Sequence, residues 1–359
     1  MNLNSKILQV FIILQAIFGL TCKDSNPVLP TQNTRSPRDY TWSIDSIDYS
    51  SPISTPARFT GMWGSSNSNV WGVAGDGVSP DDALWYYNGN VWRRATEGTI
   101  FTDHSGNRFV YDIWGTDANN IWAVGRKINF GILSAMIVHY NGTTWQDVTP
   151  VNVQNINGVL YTIHAIAPNN IWAAGYEYAI HYDGASWQTY KVADSMIVRS
   201  IAGQGSQIYL TAYSPWGIDL MQLYRFNGAT FSILDKTDIN GSKFGGELWL
   251  HNEKLIAMGY GIFSVNVRQD GTIDTSTWQL EYDTGIKGVS RSFIFNSDNV
   301  LAVGSVYLVC HFNGTNWEEI NIRGPNDPGN SLFTLSTVWT NGSEAFISNY
   351  HEGIIYHGE

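Results

Sequence analysis

Charge is scarce in this chain. Asp, Glu, Lys and Arg make up only 14% of the residues, against roughly 25% in ordinary globular proteins. The 20 cations are outnumbered by 31 anions and form no run. A surface that tracks phosphates needs clustered Lys and Arg, so nucleic acid is not expected as a partner. Cysteine is nearly absent, with Cys22 and Cys310 alone, which excludes a disulfide framework. The apolar run at 7–20 is broken by Gln9 and Gln15 and falls short of the about twenty residues of a membrane-spanning helix. Also lacking are a Walker loop, a Ser-centred elbow and a paired-Cys motif, so no cofactor, no metal and no catalytic residue is expected. Aromatic residues and glycine are abundant instead, with 15 Trp, 19 Tyr and 35 Gly in 359 residues. That excludes disorder and favours one large repetitive domain over two or three ordinary ones.

The first residues read as an export signal. A polar start with one cation, Lys6, precedes the apolar run, which is the order of a secretory signal peptide. The run closes on Phe18-Gly19-Leu20-Thr21-Cys22, and the chain turns polar at Lys23. This ending resembles a bacterial lipoprotein signal, in which a cysteine directly follows the cleavage site. The resemblance implies removal of the signal peptide at 1–21 and acylation of Cys22, a lipid anchor that would hold the protein on a membrane leaflet. Residues 22–39 carry Pro27, Pro30 and Pro37 among polar residues. They read as a flexible tether to a globular body over 40–359.

Self-similarity dominates that body. Asn119-Asn120-Ile121-Trp122-Ala123-Val124-Gly125 is followed by His139-Tyr140-Asn141-Gly142 and Trp145. Asn169-Asn170-Ile171-Trp172-Ala173-Ala174-Gly175 is followed by His181-Tyr182-Asp183-Gly184 and Trp187. An earlier copy has Asn69-Val70-Trp71-Gly72-Val73, Tyr86-Tyr87-Asn88-Gly89 and Trp92; later ones are degraded and end on Phe231, Trp278 and Trp317. A last copy runs from Val338-Trp339 to Ile354-Ile355-Tyr356 without a fourth strand of its own. Each copy reads as three short strands plus a fourth that opens on an aromatic residue. The Asn-Gly or Asp-Gly before the fourth strand suits a two-residue hairpin turn. Four-stranded antiparallel units repeating at about 40 to 50 residues predict propeller blades. Tyr40-Thr41-Trp42-Ser43-Ile44 has the same opening Trp and belongs to no other unit. The expected fold is therefore an all-β, seven-bladed β-propeller, closed by an N-terminal outer strand that leaves no open edge.

The Asn-x-x-Trp-Ala-Val-Gly and His-Tyr-Asp-Gly-x-x-Trp pattern resembles bacterial envelope and secreted propellers, broadly similar to the BNR and tectonin-like repeats, over about residues 40–359. The resemblance implies architecture and an envelope or secreted setting, and it transfers no catalytic residue. Asp183 directly precedes Gly184, whereas the sialidase Asp-box places its Asp two residues before the Gly.

His139, His181 and His311 occupy one repeat position in three blades. A blade apart, they read as packing residues, not as a metal or acid–base set. His164 stands where other copies carry Trp63 and Trp114 and reads the same way. Repeat-equivalent tryptophans are expected to glue blade to blade. The candidates for binding are aromatics outside the register, Tyr176, Tyr178, Tyr213, Trp216 and Tyr260, which follow second strands in loops. Function is read by elimination as an exported protein, an outer-membrane or cell-surface lipoprotein or else a periplasmic or secreted one, a monomer whose propeller-face loops bind an envelope protein or a glycan. The alternative is a carbohydrate-active enzyme for glycosyl transfer or hydrolysis. The ring axis discriminates: apolar or backbone groups there favour binding, and a compact carboxylate or Arg cluster favours an enzyme.

Overall fold

Four short apolar runs per repeat fold into seven four-stranded antiparallel sheets, set as blades around one axis. The computed structural model describes residues 35–45, 47, 58–75, 83–95, 100, 107–154, 158–215, 220–238, 243–251, 253–324, 327, 333–349 and 353–359. From the axis outward, blade one is Phe59–Ser66, Asn69–Ala74, Leu84–Tyr87 and Trp92–Arg94. Blade two is Asn107–Asp117, Asn120–Asn129, Ile132–Tyr140 and Trp145–Asp147; blade three is Leu160–Ala167, Asn170–Gly175, Tyr178–Tyr182 and Trp187–Lys191. Blade four is Ile197–Gln204, Gln207–Tyr213, Leu220–Phe226 and Phe231–Asp238; blade five is Leu248–His251, Lys254–Gly259, Gly261–Asn266 and Gln279–Tyr282. Blade six is Val289–Asn296, Asn299–Gly304, Val309–Phe312 and Trp317–Glu319. In blade seven, Leu335–Thr340, Ala345–Asn349 and Ile354–Gly358 are completed by Trp42–Ile44.

That last sheet is the predicted closure. Trp42 lies opposite Gly358, where a Cβ would fall 2.9 Å from the Trp42 ring. Beyond the strand, Asp45 accepts the Trp92 indole N–H at 3.0 Å, which ties the closing segment to blade one. Just before it, Arg38 pairs with Glu318 at 2.8 Å and donates to His311 and Asn316, so the end of the segment read as tether rests on blade six. Cys22 lies outside the described residues. Among those residues no helix is long and apolar enough to cross a membrane.

The repeat motif has a structural reason at each position. After its Asn, every residue of Asn170–Gly175 is buried, as a strand packed on both faces requires. Asn120 Oδ1 accepts from the Trp122 indole N–H and hydrogen-bonds His139, both at 2.8 Å, while the two rings stack at 4.1 Å. The closing Gly permits close backbone approach: a Cβ on Gly125 or Gly175 would lie 1.9 or 1.6 Å from the carbonyl oxygen of Phe109 or Val159. One local expectation is corrected. The turn before the fourth strand is not a two-residue hairpin, because Tyr140 pairs with Trp145 across four residues. Gly142 takes φ 90°, and Asn141 accepts the N–H groups of Thr143 and Thr144 through its side chain. An Asx turn thus explains the Asn or Asp before each Gly.

Candidate functional site at the channel mouth

Six of the seven innermost strands carry a register shift of the β-bulge kind at one repeat position, which falls on Thr60, Tyr111, Tyr161, Arg199, Ser290 and Ser336. A bulge re-aims the extra side chain. In three blades that residue is a hydroxyl that staples neighbours: Thr60 donates to the Tyr111 carbonyl of blade two at 2.8 Å, Ser290 to Leu335 of blade seven at 2.8 Å, and Ser336 to Phe59 of blade one at 2.6 Å. In blades two, three and four the staple is replaced by Tyr111, Tyr161 and Arg199. The three exceptions are consecutive. With Tyr213 and Glu247 they line a cavity of about 180 Å³ at one mouth of the central channel, and the Tyr111 and Tyr161 rings meet edge to face at 5.2 Å.

One residue further along the innermost strands, the floor is charged. Arg291 of blade six reaches Glu247 of blade five at 2.8 Å and Asp112 of blade two at 3.4 Å. Asp112 also accepts the N–H groups of Ile113 and Ile163, both at 3.1 Å, and Glu247 accepts from the backbone and hydroxyl of Ser292. Below this layer Trp114, His164, Trp249 and Phe293 plug the channel, with Trp114 at 5.1, 6.0 and 5.8 Å from the other three. Between the charged layer and the plug the space is about 30 Å³, room for ordered water, whereas on the mouth side Glu247 and Arg291 border the larger cavity.

Electrostatics separates the two arginines. Burial opposes the Arg291 charge, yet Asp112 and Glu247 outweigh it and raise its pKa. Burial raises the Asp112 carboxyl against the pull of Arg291. Arg199 is crowded by the ring wall while remaining open to water in the mouth. Its pKa is lowered by that crowding and then by the Arg291 charge. No hydrogen bond or ion pair among the described residues holds its guanidinium. An arginine so placed binds an incoming carboxylate or phosphate through its planar fork.

Of the aromatics singled out in the sequence, Tyr213 ends the second strand of blade four and lines this mouth beside Arg199. Tyr176 bridges to Ile197, a mouth residue. Tyr178 opens a third strand opposite Lys191, and Tyr260 is 50% exposed in the turn between Gly259 and Gly261; neither lines the cavity. Trp216 lies outside the described residues. Tyr111, Tyr161 and Arg199 were missed, although the signal was present: at one repeat position, Ser or Thr gives way to large side chains in three successive copies.

No protein-family model matches the sequence, and no curated protein matches it either. Solved structures share its fold. YCF48 bound to D1 peptide is similar with a TM-score of 0.55 at 14% identity, over 88% of this chain and 99% of that one. YCF48 from Cyanidioschyzon merolae is similar with a TM-score of 0.57 at 10% identity, over 88% and 98%. The extracellular domain of the putative one component system BT4673 from B. thetaiotaomicron gives 0.58 at 11%, over 88% of this chain and 40% of that one. At these identities the likeness is one of fold.

Proposed function

We propose that the protein is an exported, lipid-anchored envelope protein that binds a partner polypeptide at this channel mouth, with Arg199 meeting an anionic group of the partner. The carrying observation is the Arg199 guanidinium, held by no hydrogen bond or ion pair among the described residues, in an open cavity walled by Tyr111, Tyr161 and Tyr213. A cation set among tyrosines suits an extended segment with a carboxylate. A propeller of like fold holding a peptide, YCF48 with D1 peptide, supports the same reading. Export and anchoring rest on the signal-like run and Cys22, and a BNR- or tectonin-like ancestry on the repeat pattern.

The Asp112–Arg291–Glu247 cluster is the observation that favours the alternative, a carbohydrate-active enzyme. Against it, both carboxylates are spent on Arg291 and on backbone and interblade hydrogen bonds. The test is capture of envelope polypeptides by the chain from residue 23 onward, with Arg199→Ala as the matched control. The expected result is one or two stoichiometric partners, held about ten- to a hundredfold more weakly by the variant, the range of a lost charge-assisted hydrogen bond. Equal capture by both proteins would sink the peptide reading, and displacement by an acidic oligosaccharide alone would move it to glycans.

A further inference from the structure

Four of the seven joints between blades follow one rule, and the joint between blades five and six keeps only the receiving half of it. A second-strand aromatic stacks on a third-strand ring of its own blade and enters a pair of rings in the next blade. Trp71 lies 4.7 Å from Tyr86 and 5.1 and 5.4 Å from Tyr140 and Trp145. Trp122, with His139, enters Tyr182 and Trp187 at 5.4 and 5.7 Å. Trp172, with His181, enters Phe226 and Phe231, and Phe346, with His357, enters Tyr87 and Trp92. At the joint between blades five and six the register puts Ile256 in place of the Trp and Ser264 in place of the His. The receiving pair is still there: Phe312 and Trp317, centroids 5.3 Å apart.

Two rings are therefore missing from a four-ring stack whose other half is intact. A cavity of about 380 Å³ lined by Ile256, Ser264, Phe312 and Trp317 stands in their place, inside the ~300–1,000 Å³ range of ligand sites. Ile256 is half-buried, whereas Trp71, Trp122 and Trp172 are 7%, 6% and 2% exposed. Lys254 and Glu281 pair at 3.5 Å on the rim. The neighbouring joint shows how such a gap is covered. Between blades six and seven Leu301 replaces the aromatic, and Tyr40, from the segment before the closing strand, packs into that cluster, while Arg38 next to it pairs with Glu318.

We propose that the cleft between blades five and six is a second binding site, which takes the Trp or Tyr side chain of a partner polypeptide in the space the repeat's own rings fill elsewhere. The ring would stack on Phe312 and Trp317, with the Glu281 and Lys254 rim meeting polar groups of the same segment. A buried aromatic anchor of this kind is the usual centre of a protein interface. The site is separate from the mouth and stands without the reading given to Arg199.

The test uses the full chain and N-acetyl-tryptophanamide, followed by ligand-detected NMR, with N-acetyl-alaninamide as the blank. Saturable binding of the tryptophan amide is expected, unchanged by Arg199→Ala. Ile256→Trp, which installs the residue of blades one to three, should abolish it, and Trp317→Leu should weaken it by about tenfold, the scale of one lost ring contact. Should Ile256→Trp fail to fold, Trp317→Leu decides. No saturable binding, or binding undiminished in a folded variant, would overturn the proposal; so would binding of free indole without the amide, which would assign the cleft to a small aromatic molecule.

Discussion

His164 occupies the position of Trp63 and Trp114 and sits in the channel plug against Trp114 and Trp249, at 5.1 and 6.0 Å. Burial pushes its pKa down from 6.5 to about 4. His311 is pushed to about 4 as well, by burial and then by Arg38. In the window between these values and 6.5 the unfolded chain takes up protons that the folded chain refuses. Stability is therefore complete above about pH 6.5 and is lost as pH falls toward 4. Each histidine should contribute about 2 kcal/mol of destabilisation between pH 7 and pH 5. His164→Phe, which borrows the residue of blade six, should remove roughly half of that acid sensitivity in urea midpoints measured at the two pH values. An unchanged pH slope would mean that His164 is solvated. The motif glycines make a sharper case. Gly175→Ala would place a Cβ 1.6 Å from the Val159 carbonyl oxygen, an approach only backbone movement relieves. A loss of about 3 kcal/mol is expected, read from the same urea curves.

At the scale of the strand, Trp42–Ile44 is short, half exposed, and stabilised by what it closes. Deleting 40–45 removes the Trp42 packing, the ladder to Ile354–Gly358 and the Asp45 link to Trp92 together. A loss on the order of 3 kcal/mol or more is expected, with aggregation from the bared edge. A chain beginning at Arg35, which keeps the Arg38 contacts with blade six, should melt with the full-length chain; equal melting of the two truncations would count against the closure. Elements of this kind were legible because an opening Trp, an alternating run and an Asn-Gly turn each leave a mark in the sequence. The bulges leave no local mark, only a break in the repeat that shows once the copies are aligned. A bulge turns one residue of an innermost strand out of its alternation, so Tyr111, Tyr161 and Arg199 read as strand residues facing the wrong way. Likewise Asp112, Glu247 and Arg291 are far apart in the chain and meet only at the axis, where repeat position becomes spatial proximity. The fold could be read from local patterns, whereas the site had to be read from where the repeat is broken.

For the molecule as a whole, the breaks in symmetry lie on different parts of the ring. Blades two to four give up their hydroxyl staples for Tyr111, Tyr161 and Arg199 at the mouth, and the joint between blades five and six gives up its rings. Blade seven and blade one keep both. Closure of the ring supplies stability through shared edges, so individual blades are free to depart from the motif where a ligand is to be met. The same global view bears on the anchor proposed at Cys22. With 31 acidic residues against 20 basic ones, the net charge does not favour attraction to an anionic lipid surface. The anchor proposed at Cys22 would act through acyl chains, of which one gives only marginal binding and two or more give stable binding. Cys22→Ser should move the protein from the membrane fraction to the soluble fraction at low and high salt alike, with its melting temperature unchanged. Membrane retention that survives the substitution and is lost in high salt would instead assign attachment to a charged protein partner, and the lipid anchor would fall.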